Sequence, residues 1–400
     1  MIDLSNLMPS NEKLGRDVKL ISFSAFFADF GYQAVIVGLP LFIVLVLKAP
    51  VYYYGIAEAL NYGVGSLFSY AGGRLSSRYG SKKIAIIGNS LIPILSFTGF
   101  AVTVYEAIAL FAGGWWLRNF RSPARRTMMS SAVTEENRSR AYGLLHGLDV
   151  GGGILATLMF ILLISLGYPF KLVFLLTLIP LVVSTLVLVP VKQGMRGDDV
   201  VERIKSSKKP LFRSLMAATA LFGFSYYSMG FLVLTVAIVS GRIVLGALTY
   251  TIFLTVSASM GFLLSRFRVR SEARTLGLAG YILAGMGALS YAISLIFAMP
   301  VYYLYISTVI IGLGSGFIEV LEPTIISKIA GNIGMGMGWL SASRSAGLFL
   351  ANILMGFLFF INPAYSYLYA FAVALFAGII VIASARSYDK GILAGMEMQA

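Results

Sequence analysis

The sequence predicts an all-α membrane protein, with twelve transmembrane helices in two pseudo-symmetric six-helix bundles. Composition, span count and charge sidedness predict it. Of the 400 residues, 58% are hydrophobic and 12% are charged, where a soluble domain carries roughly 25% charged residues. Mean hydropathy is +0.85. Apolar runs of spanning length recur twelve times along the chain; a bilayer core of about 30 Å needs ~20 helical residues. Of 31 Lys and Arg, the loops on one side hold only Lys48, Lys171 and Arg242.

The spans follow in order. The first covers about Leu20–Leu47 and holds Asp29 and Pro40; the second covers Tyr52–Leu75 with Glu58 inside it. A charged turn at Ser76–Lys83 leads to Ile84–Val104, Glu106–Met129, Ala141–Leu166 and Phe170–Val189. The Gly167–Pro169 stretch between the last two is a turn. Val191–Arg213 is too polar to span and reads as a linker. Six further spans follow, at Ser214–Val239, Ile243–Leu264, Thr275–Phe297, Val301–Ile326, Ile333–Phe360 and Ser366–Ala383. The expected domains are therefore residues 1–190, a linker 191–213, and residues 214–400.

An even number of spans puts both termini on one side, and that side is the basic one. Positive charge stays inside, so both termini and the linker are expected in the cytoplasm, with the chain in the cytoplasmic membrane. The net charge of +14 then belongs to cytoplasmic loops, and a nucleic-acid partner is not expected. Met1–Lys19 lacks the pattern of a signal peptide. With no Cys and one His, a disulfide or thiolate metal site is excluded and a Ser-His-Asp array is improbable. Neither a metal nor a cofactor is expected.

The two halves resemble each other. The basic turn Gly73–Lys82 after the second span aligns with Gly261–Arg270 after the eighth. Arg125–Ser130 aligns with Glu322–Ser327, and Gly143 with Asp149 aligns with Gly338 and Arg344 at equal spacing. Charges invert in this alignment: Arg125 matches Glu322, and Asp149 matches Arg344.

These features resemble the major facilitator superfamily over nearly the whole chain. Gly73, Leu75, Arg78, Gly80 and Lys82 fit that family's G-x-L-x-D-R-x-G-x-K signature, with Ser77 where its acid stands. Arg121, Arg125, Tyr142, Gly143, Leu144 and Asp149 are similar to a prokaryotic branch with R-T-A-P-R-D-A-L and F-G-L-H-R-A-M-D segments, and Asp29 in FFADFGYQ resembles that branch's first span. The resemblance implies the major facilitator fold, and export of a small molecule. The missing acid at Ser77 puts the family's usual gating contact in doubt.

The residues make their own case for transport. A charge in hydrocarbon costs a few kcal/mol or more and needs a partner or water. Asp29, Glu58, Arg118, Arg121, His146, Asp149, Glu319, Glu322 and Arg344 fall on spans one, two, four, five, ten and eleven. Spans three, six, nine and twelve have none in their interiors. At 1.5 Å per residue, Asp29, Arg118, Asp149, Glu319 and Arg344 lie roughly 12–16 Å from the basic ends of their helices, near the midplane. Asp29 and Asp149 are expected to compensate Arg118 or Arg121, and Glu319 or Glu322 to compensate Arg344.

Candidate roles follow. Asp29, Asp149 and His146 are proton-coupling candidates. Arg118, Arg121, Tyr32, Tyr226, Glu319, Glu322 and Arg344 are substrate-cavity candidates, with Tyr227 beside them. Glu58, Arg78, Lys82, Arg266 and Arg270 are gating candidates. Asp149 also fits a plain inter-helix salt bridge, and His146 a packing role. Arg125 and Arg126 read as interface anchors, and the Gly143, Gly147, Gly151 stripe as a close-packing face. Gly312, Gly314 and Gly316 read as helix packing, not a nucleotide loop. The expected function is secondary active transport of a small organic solute, proton-coupled and favouring efflux. Uptake is the alternative, and a non-transporting receptor a more distant one. No Walker motif, nucleophile array or metal cluster supports an ATP-driven pump or an enzyme. Expected partners are the substrate, protons and the lipid bilayer, with the chain a monomer.

Overall fold

The structure, a computed structural model, describes residues 14–133, 135–192, 213, 215–221, 228–264, 269, 271–329 and 333–397. It is built of helices. The first part contains α1 (Arg16–Leu41), α2 (Tyr52–Tyr79), α3 (Ser81–Leu91), α4 (Val104–Ser131), α5 (Glu135–Ser165), α6 (Phe170–Leu176) and α7 (Leu178–Leu188). The second contains α8 (Gly230–Ser240), α9 (Ile243–Leu264), α10 (Glu272–Thr275), α11 (Leu283–Ile296), α12 (Val301–Ile329), α13 (Ile333–Ile361) and α14 (Pro363–Glu397). Among the described residues, nine helical stretches are long and apolar enough to cross a membrane. The 28-residue helices α2 and α4 have the length but are less apolar. Glu58 and Asn61 dilute the first, and Arg118, Arg121, Arg125 and Arg126 the second.

Local chemistry sets several boundaries. Thr103 starts α4 with a capping box: its hydroxyl accepts from Glu106 N–H, and the Glu106 carboxylate accepts from Thr103 N–H. The turn between α2 and α3 is tighter than the sequence suggests. Helix α2 runs through Tyr79, Gly80 alone turns with φ 96°, and α3 starts at Ser81. A residue with Cβ is strained at that φ. Pro40 does not end α1, which continues as a wider turn over Phe42–Val46. Pro93 comes near the start of the tighter helix Ile92–Phe100 that extends α3. The last helix is 35 residues long and runs well beyond the expected end at Ala383. The linker residues 193–212 lie outside the described residues.

Helix α1 packs mainly on α5 and α7, α2 on α4 and α13, and α9 on α12, α8 and α5. The α2–α13 and α5–α9 contacts join the amino-terminal helices to the carboxy-terminal ones. Their polar and aromatic contacts sit in the helix halves away from the basic loops. The Tyr54 hydroxyl meets Ser228 Oγ, and Tyr52 stacks on Phe357 at 5.3 Å. Thr251 donates to Thr157 at 2.9 Å.

Small residues allow the closest approaches. A Cβ on Gly152 would strike the Phe26 carbonyl of α1. Gly312 and Gly316 of α12 meet Val256 and Met260 of α9, in keeping with the packing reading of that run. The stripe on α5 departs from its expected role. Nothing lies within 4 Å of a Cβ at Gly143, Gly147 or Gly151. The face turned to α1 is instead the one carrying Gly152. Neighbouring glycines should therefore respond oppositely to alanine. Gly152→Ala forces α1 and α5 apart, at an overpacking cost of about 1–3 kcal/mol. Gly151→Ala meets no neighbour and gains about 1 kcal/mol of helix propensity. Thermal unfolding of the purified protein should show a clear loss for the first variant and none for the second.

Candidate functional site

The buried charges resolve into three groups. The first lies between α1, α4 and α5. Asp29 is 5% exposed, and its Oδ1 accepts from Gln33 Nε2 at 3.3 Å. Its Oδ2 has no hydrogen-bond partner. The charged groups bearing on it are Asp149, Arg118 and Arg125. Gln33, one turn further along α1, uses its other end: its Oε1 accepts from the Tyr250 hydroxyl of α9 at 2.9 Å. A chain of polar groups therefore runs from Asp29 through Gln33 to the carboxy-terminal helices. The Arg118 guanidinium lies 4.8 Å from the Trp115 ring centre and 5.5 Å from that of Tyr32. Cation–π contact of this kind holds a desolvated cation without neutralising it. Its Nη1 also donates to Asn119 at 3.3 Å.

Asp149 does not pair with Arg118 or Arg121. It pairs with Arg125, at 3.3 Å. Arg125 is 7% exposed and so is no interface anchor. Arg121 is fully buried and points to α3, where its Nη1 donates to Asn89 Oδ1 at 2.5 Å. Asn89 in turn donates to Ser184 and Thr185 of α7. This network ties α3, α4 and α7 together and removes Arg121 from the Asp29 cluster. Its signal in the sequence was only the lone Asn in an apolar span.

The second group lies between α12 and α13. Glu322 is fully buried, and Arg344 Nη2 bonds its Oε2. Its Oε1 accepts from the Tyr281 hydroxyl at 2.5 Å and from Thr219 at 3.3 Å. Arg344 also reaches Glu319 at 2.9 Å. Both expected carboxylates thus compensate Arg344. The internal alignment gains a structural meaning here. Arg125–Asp149 and Glu322–Arg344, which the alignment matches with reversed polarity, are both ion pairs.

The third group surrounds Glu58, 5% exposed on α2. It lines a cavity of about 120 Å³ with Gln33 and Asn61, between α1, α2, α4, α9 and the residues Ser228 and Met229 that precede α8. The other candidates are more peripheral. His146 is exposed, and no hydrogen bond joins it to Asp149 among the described residues. Arg78 is exposed, with its guanidinium 5.3 Å from the Tyr79 ring centre; Lys82 is half-buried. Tyr226, Tyr227, Arg266 and Arg270 lie outside the described residues. Gln33, Tyr250, Asn61, Asn89 and Tyr281 are site residues that sequence reasoning missed. Gln33 carried a legible signal, since it stands one helical turn from Asp29, and Asn89 a weaker one as the lone Asn of an apolar span.

The profile of the Major Facilitator Superfamily matches residues 21–351. The chain belongs to that superfamily. It is a transporter, not an enzyme, and a multi-pass membrane protein. No curated relative matches the sequence. Solved structures share the fold. A POT family transporter in complex with a thioalcohol-conjugated peptide superposes with TM-score 0.75 at 12% identity, covering 93% of this chain and 96% of its own. A bacterial homolog of the human lysosomal transporter Spinster, inward-facing and occupied, gives 0.67 at 15%, covering 94% and 97%. The nucleoside transporter NupG, as a mutant, gives 0.68 at 11%, covering 94% and 99%. At such identities the likeness speaks for the fold alone.

The reversed ion pairs generate a test. Asp149→Asn leaves Arg125 buried without its counter-charge; with the Asp149 side chain 24% exposed, the loss falls below the roughly 3–5 kcal/mol of a fully buried pair. Combining Arg125→Glu with Asp149→Arg recreates the polarity that the carboxy-terminal pair already uses. The double variant should recover most of the thermal stability lost by either single change, read as the midpoint of unfolding in detergent.

Proposed function

We propose that this superfamily member is a secondary active transporter that moves a small organic solute by alternating access, coupled to protons through Asp29. Its architecture on this reading is twelve spans in two six-helix bundles, residues 1–190 and 214–400, joined by the linker 191–213. Both termini and the linker lie in the cytoplasm. The direction is export, which rests on the likeness of the Arg121–Gly152 stretch to a branch of exporters.

One observation carries the coupling reading. Asp29 is buried at the centre of α1 with one carboxylate oxygen unpartnered, and its other oxygen is linked through Gln33 to Tyr250 across the two halves. Buried carboxylate oxygens are mostly hydrogen-bonded; Asp149 also keeps one bare oxygen but has Arg125 at 3.3 Å, whereas among the described residues no cation lies within ion-pair distance of Asp29. An ionised Asp29 accepts a charge-assisted bond from Gln33, and a protonated one accepts a weaker bond. Protonation would thus loosen a contact that helps hold the halves together away from the basic loops. The Arg125–Asp149 and Glu322–Arg344 pairs carry their own counter-charges, although Arg125 Nη1 and Asp149 Oδ1 keep no hydrogen-bond partner, and serve as fixed elements of each half. Arg118, held by Trp115 and Tyr32, bears on Asp29 together with Arg125; unlike Arg125 it has no carboxylate within ion-pair distance among the described residues, and it is left for an anionic or polar part of the substrate.

The experiment is flux in proteoliposomes, with a substrate found by thermal-shift screening, since ligand binding raises stability by mass action. Asp29→Asn keeps the volume and mimics the protonated acid. It should insert normally and retain exchange. Its transport with a pH gradient should fall to the rate without one. Wild-type response to the gradient in Asp29→Asn would make Asp29 structural, and the coupling group would then have to be Asp149.

A further inference from the structure

The cavity at Glu58 is not explained by proton coupling at Asp29. Its polar lining is Glu58, Asn61, Gln33 and Ser228. Its ring walls are Tyr62, Phe111, Trp115, Tyr250 and Phe253. Glu58 and Asn61 are 5% and 1% exposed. Among the described residues, no Lys, Arg or His lies within ion-pair distance of Glu58. The Oδ1 of Asn61 is buried without a hydrogen-bond partner. The site thus offers acceptor oxygens and aromatic faces but no cation of its own.

That combination has a definite complement. A buried carboxylate without a counter-charge is destabilised until a cation joins it. Aromatic faces attract ammonium groups by their quadrupole, and more strongly once water is excluded. The volume of about 120 Å³ holds several waters, at roughly 10–15 Å³ each. It is below the range of about 300 Å³ and up that encloses a drug-sized molecule. It suits one headgroup, with the rest of a ligand extending towards Arg118, whose guanidinium rests on the same Trp115.

We propose that the Glu58 cavity is a subsite for the cationic nitrogen of the transported solute, a protonated amine or a quaternary ammonium. This rests on the transporter reading above and names the substrate class. Glu58 supplies the counter-charge, Asn61 Oδ1 accepts from an N–H or lies against a methyl, and the rings enclose the group. Gln33 connects the subsite to Asp29, so an occupied cavity and the coupling carboxylate share one neighbour.

The test is binding, which needs no transport. Choline and its uncharged isostere 3,3-dimethyl-1-butanol have nearly the same shape and differ in charge. Purified full-length protein is titrated with each, and thermal stabilisation gives the affinity. Wild type should prefer choline by about tenfold or more, and Glu58→Gln should lower that preference to about twofold or less. Equal binding of both probes by wild type, or no binding of choline, overturns the subsite even if Glu58→Gln cannot be purified. Choline preference that survives Glu58→Gln also overturns it. Either result leaves the gradient response of Asp29 standing, so the two readings fail separately.

Discussion

Charge inside a low-dielectric helix packing must find a partner, and this constraint organises the molecule. An unpaired ion in hydrocarbon is expensive, yet this chain places arginines on α4 and α13 and carboxylates on α1, α2, α5 and α12. Two solutions are structural. Arg125 with Asp149 joins α4 to α5, and Glu322 with Arg344 joins α12 to α13. The internal sequence alignment matches these positions with the signs exchanged. A helix pair held this way can move as one body, because separating it would expose two charges together. Arg121 takes a third route: its Nη1 donates to Asn89, which donates in turn to Ser184 and Thr185, while its Nε and Nη2 keep no hydrogen-bond partner.

Several buried groups keep incomplete partners, Arg121, Arg125 and Asp149 among them. Three others bear on the site: Asp29 keeps a bare oxygen, Arg118 a bare Nε, and Asn61 a bare carbonyl. All three converge on the region between the halves, where Gln33 reaches Tyr250. Incomplete satisfaction is what a protein designed only for stability avoids. The contacts that close this region from one end are Tyr54 with Ser228, Tyr52 with Phe357, and Thr157 with Thr251. They are aromatic and hydroxyl contacts without ion pairs, which suits surfaces meant to separate.

The all-helical, multi-pass character was legible in the sequence, because hydropathy reports directly on the bilayer. The family followed from the basic turn after α2 and from the α4–α5 segment. The partners of individual charges were not legible. Asp149 was assigned to Arg118 or Arg121, since helical spacing gives a face but not the neighbour it meets. The internal alignment already contained the answer: Arg125 matches Glu322 and Asp149 matches Arg344, so one pair implied the other. The glycine stripe of α5 misled for a related reason. Spacing showed that Gly143, Gly147 and Gly151 share a face, but only the fold showed that α1 meets Gly152 instead. Asn61 and Tyr250 gave no signal, being single polar or aromatic residues whose importance depends on tertiary position.

The central claim is that Gln33 carries the protonation state of Asp29 from α1 to α9. Spin labels at Gly143→Cys on α5 and Leu264→Cys on α9, in this Cys-free chain, report the separation of these helices at the basic end by pulsed electron resonance. Distances are measured across the pH range that titrates Asp29, in the otherwise unaltered protein and with Gln33→Leu. Acidification should shift the unaltered protein towards the shorter distance, as the Asp29–Gln33–Tyr250 contact loosens and the basic end closes. Gln33→Leu should show one distribution at every pH. A Gln33→Leu protein that follows the same pH-dependent shift would contradict the claim.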